Sequence, residues 1–244
     1  MTRKRRFKNE KYDSKIEVPH NFYAVTEGNA ITLNIFGEIG ESWWGESTSA
    51  ADINAALNGV EVNEITVNIS SPGGSAFDGI AIYNILKDHS AKVKIIVPGW
   101  ACSAASVIAM AADELTIGVG AMLMIHPASV GIWGNKDDLE KEAQVLKKLD
   151  ESILDIYMKK FKGTREELKV LVDNETWFTA SEAVEIGFAD AVTEIEDVED
   201  VPENKLDAEQ FKNSILARFR KAPAAQAPGA PVNILNQFKR NSNE

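Results

Sequence analysis

The stretch Ile95-Ile-Val-Pro-Gly-Trp-Ala-Cys-Ser-Ala-Ala-Ser106 decides how this chain is read. A β-branched run stops at Pro98-Gly99, and a small-residue helix pattern over 103–112 begins a few positions later. Strand, tight turn and buried helix in so short a space are the building unit of an α/β sheet. Ser103 then falls at a helix N-terminus, where unpaired N–H groups and the positive end of the dipole favour a developing negative charge. Two readings of Ser103 follow. It is the N-cap of a buried helix, or it is a nucleophile presented on a strand-to-helix turn, although the Gly-x-Ser-x-Gly pattern of a nucleophile elbow is absent.

Further strand-like runs lie on both sides: Ala30–Phe36, Glu64–Ser70, Lys92–Pro98, Glu114–Gly118, Met122–His126 and Asp190–Thr193. They are rich in Ile and Val, and in one of them Ile65, Val67 and Ile69 alternate with Thr66, Asn68 and Ser70. Helical patterns separate them. Thr48–Leu57 is the first, and Ala76–Lys87 the second, with Ser75 and Asp78 spaced as a capping box. In Lys136–Phe161, Leu139, Val145, Leu146, Leu149, Ile153, Ile156 and Tyr157 recur at three- and four-residue spacing, with charges on the other face. Such a helix is nearly 40 Å long, at about 1.5 Å per residue, and its length predicts packing on another subunit. Thr164…Glu167 and Thr179…Glu182 are capping boxes of two short helices. Strands alternating with helices predict an α/β fold with a largely parallel sheet.

The folded region is predicted over 22–193. Residues 1–21 form a basic leader, in which residues 1–11 carry Arg3, Lys4, Arg5, Arg6, Lys8 and Lys11 against one Glu10. No apolar run follows, so it is not a signal peptide. It reads as a flexible arm, either simply solvated or touching a partner chain or nucleic acid. Residues 194–244 are first acidic and then rich in Pro and Ala, and are predicted to be largely disordered.

With 244 residues, 44% of them hydrophobic and 26% charged, the composition is that of an ordinary globular protein. A net charge of −11 gives a bulk field that repels nucleic acid and anionic membrane. The uncharged stretches Ile95–Ala112 and Leu115–Asn135 are broken by Pro and Gly, so neither is predicted to span a membrane. One cysteine, Cys102, cannot form an internal disulfide or a Cys-rich zinc site, and three histidines make a His-rich metal site a poor fit. No metal and no organic cofactor is expected. The cysteine usage suits a reducing, cytoplasmic compartment.

Two more segments carry chemistry. Asn68-Ile-Ser-Ser-Pro-Gly-Gly-Ser75 joins a strand to a helix, and Gly73-Gly74 lets the backbone come close to a ligand and offer N–H groups to an oxyanion or an extended peptide. A tight turn with a helix cap would look the same. Of the histidines, His20 lies in the polar leader and His89 reads as a helix C-cap. His126 ends the apolar run Ala121-Met-Leu-Met-Ile-His126 before Pro127, which aims it into a turn or cleft; a satisfied core histidine is the competing reading.

Together these pieces resemble one family. Ser71-Pro-Gly-Gly74, Gly99-Trp-Ala-Cys-Ser-Ala-Ala105, Met124-Ile-His126 and Thr179-Ala-Ser-Glu-Ala-Val-Glu-Ile-Gly187 closely resemble the Clp protease proteolytic subunit (ClpP), in order, over residues 30–193. The resemblance implies a serine peptidase with the ClpP/crotonase-like fold, a superhelix of β-β-α units, and 136–161 as its protruding handle helix. It implies Ser103 as nucleophile and His126 as general base. The third position falls on Glu175, in Asn174-Glu-Thr-Trp-Phe178, where the family has aspartate. Glutamate can fill that role in a triad, though it reaches one methylene further; Asp173 is the fallback. Gly74 and Ala104 would supply the oxyanion N–H groups, and Ser71, Pro72, Gly73 and Ser75 would line the substrate as an added strand. Alanine at 104 replaces the usual methionine of a housekeeping subunit but keeps its N–H. Cys102 lies one residue out of register and is read as a small inward-packing hydrophobe.

Ser42-Trp-Trp-Gly45 and Glu175-Thr-Trp-Phe178 resemble the ClpP-like head maturation proteases of tailed phages and prophages. That branch implies an ATP-independent endopeptidase trimming phage scaffold or capsid proteins in the host cytoplasm, with the proheads. It also implies a homo-oligomer assembled through the handle. The alternatives are a housekeeping ClpP subunit working with a Clp ATPase, a crotonase-like acyl-CoA enzyme, and an inactive assembly protein.

Overall fold

A single long strand organises the molecule. The computed structural model describes residues 20–40 and 47–193. The leader up to residue 19, the Ser42–Gly45 motif and the tail from 194 onward lie outside the described residues. In chain order the elements are β1 (Asn21–Glu27), β2 (Ala30–Ile39), α1 (Ala50–Leu57), β3 (Glu64–Gly74), α2 (Ala76–Asp88), β4 (Lys92–Val97), β5 (Trp100–Cys102), α3 (Ala104–Ala109), β6 (Glu114–Gly118), β7 (Met122–Ile125), α4 (Lys136–Tyr157), α5 (Arg165–Asp173), β8 (Thr176–Thr179), α6 (Ala180–Glu185) and β9 (Ala191–Thr193).

The strand β3 runs for 11 residues with strict alternation of burial. Ile65, Val67 and Ile69 point into the core and are fully buried. Its first half pairs with β4, from Glu64↔Lys92 to Asn68↔Ile96; beyond that, Ser71 pairs with Ala101 of β5. The sheet therefore curls along β3, and its path reads β8-β7-β5-β3-β4-β6-β9. The pairings on that path are parallel except β7–β8, and β1–β2 is an antiparallel hairpin at the side. This is the mixed, largely parallel α/β architecture that the alternation predicts.

The β2–β3 register slips between Phe36↔Ser70 and Glu38↔Gly73. Two residues of β3, Ser71 and Pro72, thus face one residue of β2. A proline has no N–H for the ladder, and a bulge is where a strand tolerates it.

Capping follows sequence closely. The boxes at Thr164/Glu167 and Thr179/Glu182 are complete, as are two more at Ser49/Asp52 and Asn135/Asp138. Ser75 makes only half of its predicted box. Its side chain accepts Asp78 N–H, but Asp78 turns away to accept Ala50 N–H at 3.0 Å, tying α1 to α2. The long helix ends at Tyr157, four residues before the predicted Phe161, and so has 22 residues, about 33 Å. Among the described residues, no helix is long and apolar enough to cross a membrane.

Every residue of α3 is buried. Its small side chains let α2 come close: a Cβ added to Gly79 would lie 2.9 Å from Ala104 Cβ and 3.0 Å from Ala104 O. Gly79→Ala should therefore destabilise the fold by about 1–3 kcal/mol, the usual cost of overpacking, in urea denaturation. A neutral result would contradict this close α2–α3 contact.

Candidate active site

Three neighbouring strands end at one place. Parallel pairing of β5 with β7 sets Trp100↔Met122, Ala101↔Leu123 and Cys102↔Met124. The ladder continues one step further, with Ser103 N–H donating to Met124 O at 2.9 Å. On the other side of β7, antiparallel β8 sets Met124↔Trp177 and Ile125↔Thr176. One more step of that register would put His126 opposite Glu175. Ser103, His126 and Glu175 are distant in sequence, yet strand register alone makes them neighbours.

Ser103 Oγ lies 2.8 Å from His126 Nε2. Ser103 occupies the N-cap position of α3, but its side chain makes no capping bond. The hydroxyl that an N-cap serine would spend on its helix is directed at the imidazole instead. The two side chains form a hydrogen-bonded serine–histidine pair, and Ser103 does not cap α3 through its side chain. Both side chains are half-buried.

Backbone strain sits at the same place. Among the described residues, the two non-glycine positions with positive φ are Ser103 (56°) and Glu175 (51°). Residues held at such angles cost about 1–3 kcal/mol and tend to collect at functional sites. Glu175 follows the C-cap of α5, where a left-handed residue closes the helix and glycine is the usual choice.

Burial pushes the His126 imidazole below the ordinary histidine range, and the negative charges of Glu175 and Asp150 partly oppose it. Glu175 is exposed and acts on the ring through space; no hydrogen bond joins the two side chains in this structure. Asp173, the fallback, is exposed and paired with Lys169 Nζ at 2.9 Å on α5. Asp150 of α4 was not anticipated from sequence. Its Oδ1 accepts Ala128 N–H at 2.7 Å, two residues beyond His126. The signal was an acidic residue interrupting the apolar stripe of Leu146, Leu149 and Ile153.

The Ser71–Ser75 loop lies directly against Ser103. A Cβ on Gly73 would fall 2.5 Å from Cys102 O and 2.7 Å from Ser103 Cβ, and Gly73 has φ +90°. Only glycine fits. Ser71 is fully buried and its Oγ accepts Gly73 N–H at 3.0 Å, so its side chain shapes the loop. Ser75 caps α2 and gives its N–H to Ile39 O at 2.8 Å. What this loop offers outward is therefore backbone. Cys102 is buried and its thiol is pushed up to about 12 by burial, the inward-packing residue that sequence suggested. His89 caps α2, with Nδ1 accepting Ala91 N–H at 3.0 Å.

The Clp protease family model matches residues 46–196. The ATP-dependent Clp protease proteolytic subunit 1 of Chlamydia abortus is 32% identical over 152 residues, covering 59% of this chain and 79% of the relative. The ATP-dependent Clp protease proteolytic subunit of Deinococcus radiodurans is 34% identical over 132 residues, covering 53% and 64%. Among solved structures, a ClpP1 mutant from Listeria monocytogenes matches with a TM-score of 0.59 over 68% of this chain and 92% of its own. Its identity is 24%, so it bears on the fold alone, and it agrees with the ClpP-like α/β architecture. By the extent of the family match and the relatives aligned with it, this chain belongs to the Clp protease family.

Proposed function

We propose that the protein is a serine endopeptidase with Ser103 as nucleophile and His126 as general base. One observation carries this reading: an uncapping N-terminal serine hydroxyl 2.8 Å from an imidazole nitrogen. Ser103 Oγ attacks the scissile carbonyl carbon as its proton passes to His126 Nε2. The carbonyl oxygen becomes an oxyanion, held by the N–H groups of Gly74 and Ala104. Gly73 and Ser75 N–H groups are committed to Ser71 Oγ and Ile39 O, which favours Gly74 as the loop's donor. Each such donor is typically worth about 3 kcal/mol of barrier. Collapse of the tetrahedral species passes the proton from His126 to the leaving amine. Water, deprotonated by His126, then releases the acyl group and restores the Ser103 hydroxyl.

Glu175 is the third member. Its charge favours the imidazolium that forms during attack, and Asp173 is engaged with Lys169 instead. The substrate is an extended peptide lying on the backbone of the Ser71–Ser75 loop. Homo-oligomerisation through α4 is part of this reading, supported by exposed Leu139 and Val145 on the helix and by Ile132 and Trp133 just before it. We assign the natural substrate to phage scaffold or capsid protein, cleaved without ATP. The support is the Trp-rich motifs at 42–45 and 175–178. The names of the relatives favour a second reading, a housekeeping subunit acting with a Clp ATPase.

Co-expression with a candidate capsid protein, followed by intact-mass analysis, separates the two. The first reading predicts defined shortening that Ser103→Ala abolishes; processive loss of substrate only with a Clp ATPase and ATP would favour the second. Peptide cleavage should rise with pH along one limb with a midpoint below 6.5, the ordinary histidine value, because burial disfavours the charged ring. Glu175→Gln should move that midpoint lower still and cut turnover at least about ten-fold. Asp173→Asn should leave turnover within about two-fold, since exposed pairs contribute little. If only the Asp173 variant is impaired, Glu175 is not the third member. Glu175→Gly offers a further check. It should keep or raise stability, by up to about 1 kcal/mol, while losing activity; a loss of both would mark Glu175 as structural.

A further inference from the structure

Ser103 stands at φ 56° and ψ −124°, and something must hold it there. Three hydrogen bonds end on its carbonyl oxygen: Ser106 N–H at 2.9 Å, Val107 N–H at 3.2 Å and Ser106 Oγ–H at 2.7 Å. The first two are what any helix start supplies. The third comes from a side chain. Ser106 is fully buried, and its hydroxyl proton is committed to Ser103 O. Its oxygen also lies 2.8 Å from Tyr157 Oη, so the phenol is the donor in that contact. Tyr157 is the last residue of α4, almost wholly buried, with its ring against Phe188 at 5.5 Å between centroids. Burial pushes its phenol well above the usual range, which keeps it a neutral donor. Two turns earlier on the same helix, Asp150 grips the segment that follows His126. The helix α4 thus holds the backbone behind both members of the serine–histidine pair.

We propose that Tyr157 and Ser106 are positioning residues: Tyr157 Oη donates to Ser106 Oγ, which donates to Ser103 O and holds the strained Ser103 backbone at the angle that aims its hydroxyl at His126. This inference rests on the reading of Ser103 as a nucleophile. It makes the handle helix a support for the reacting side chain, whatever surface that helix presents outward. The segments that carry charge toward His126 are the turn between α5 and β8, through Glu175, and α4, through Asp150. Neither charge is touched by removing the Tyr157 or Ser106 hydroxyl.

The test compares Tyr157→Phe, Ser106→Ala and the double variant in the full chain. Three quantities are read: the rate of acylation by a fluorophosphonate probe, kcat and KM for a peptide, and the NMR titration midpoint of His126. Each single variant should acylate about ten-fold more slowly and lose kcat in proportion, with KM changed less than about two-fold. The double variant should fall no further, because either change breaks the same chain. The His126 midpoint should rise in all three, as water reaches a ring no longer closed off by Ser103. A purely structural pair would lower thermal stability and leave kcat and the His126 midpoint alone. Wild-type values of both, or a double variant showing the product of the two single losses, overturn the proposal. If the wild-type protein is neither acylated nor active on peptide, the peptidase reading fails. The His126 midpoint then decides the positioning claim by itself, a rise supporting it and no change overturning it.

Discussion

Everything chemical in this structure depends on the register of one short strand. β7 has four residues and pairs in parallel with β5 on one side and antiparallel with β8 on the other. Those two ladders carry Ser103 and Glu175 to the flanks of His126. A slip of one residue in either would turn every side chain of the slipped strand to the opposite face. The register is held by buried side chains on alternate positions, Ala101, Leu123, Ile125 and Phe178 among them. Burial of these apolar groups and placement of the polar trio are therefore one constraint, satisfied by the same pairings.

The neighbouring strand β3 adds the second half of the site. A bulge at Ser71-Pro72 shifts its register with β2 by one residue and sets Gly73 against Ser103 and Gly74 against Ile39. Side chains at those positions would collide with backbone, so glycine is required by contact as well as by the positive φ of Gly73. Ala104 has a similar role on the far side, leaving room for Gly79 of α2. Gly73 and the strained backbone of Ser103 itself meet at one hydroxyl, and the second strained residue, Glu175, stands just before β8, on the other side of β7. Local preference is overridden there, which is the pattern expected where geometry serves chemistry.

Much of this was legible in sequence. The alternation in Glu64–Ser70 and the β-branched run before Pro98 identify the central strands, and the turn at Gly99 places Ser103 at a helix start. The pairing of Ser103 with His126 followed from the family resemblance, with residue chemistry as support. Three strands were missed. β1 is exposed along nearly all its length and shows no alternation of burial. β5 and β8 have three and four residues, too few for a period to show. With β8 missed, Asp173 stayed open as the fallback to Glu175, because no strand register was at hand to place either residue against His126. The predicted helix end at Phe161 overshot because Met158 and Phe161 continue the apolar spacing, while the chain has already turned to give Lys162 N–H to Ile186 O. Ser106, Asp150 and Tyr157 looked like helix filler. Their connections cross between elements, which no local pattern records.

The central claim is that Ser103, and no neighbouring hydroxyl or thiol, is the activated nucleophile. Treating the full chain with a fluorophosphonate and mapping the adduct by peptide mass spectrometry addresses it directly. The account predicts modification on Ser103, absent from Cys102 and Ser106, and lost when His126 is replaced by alanine. An adduct on another residue, or labelling of Ser103 that persists without the imidazole, would contradict it.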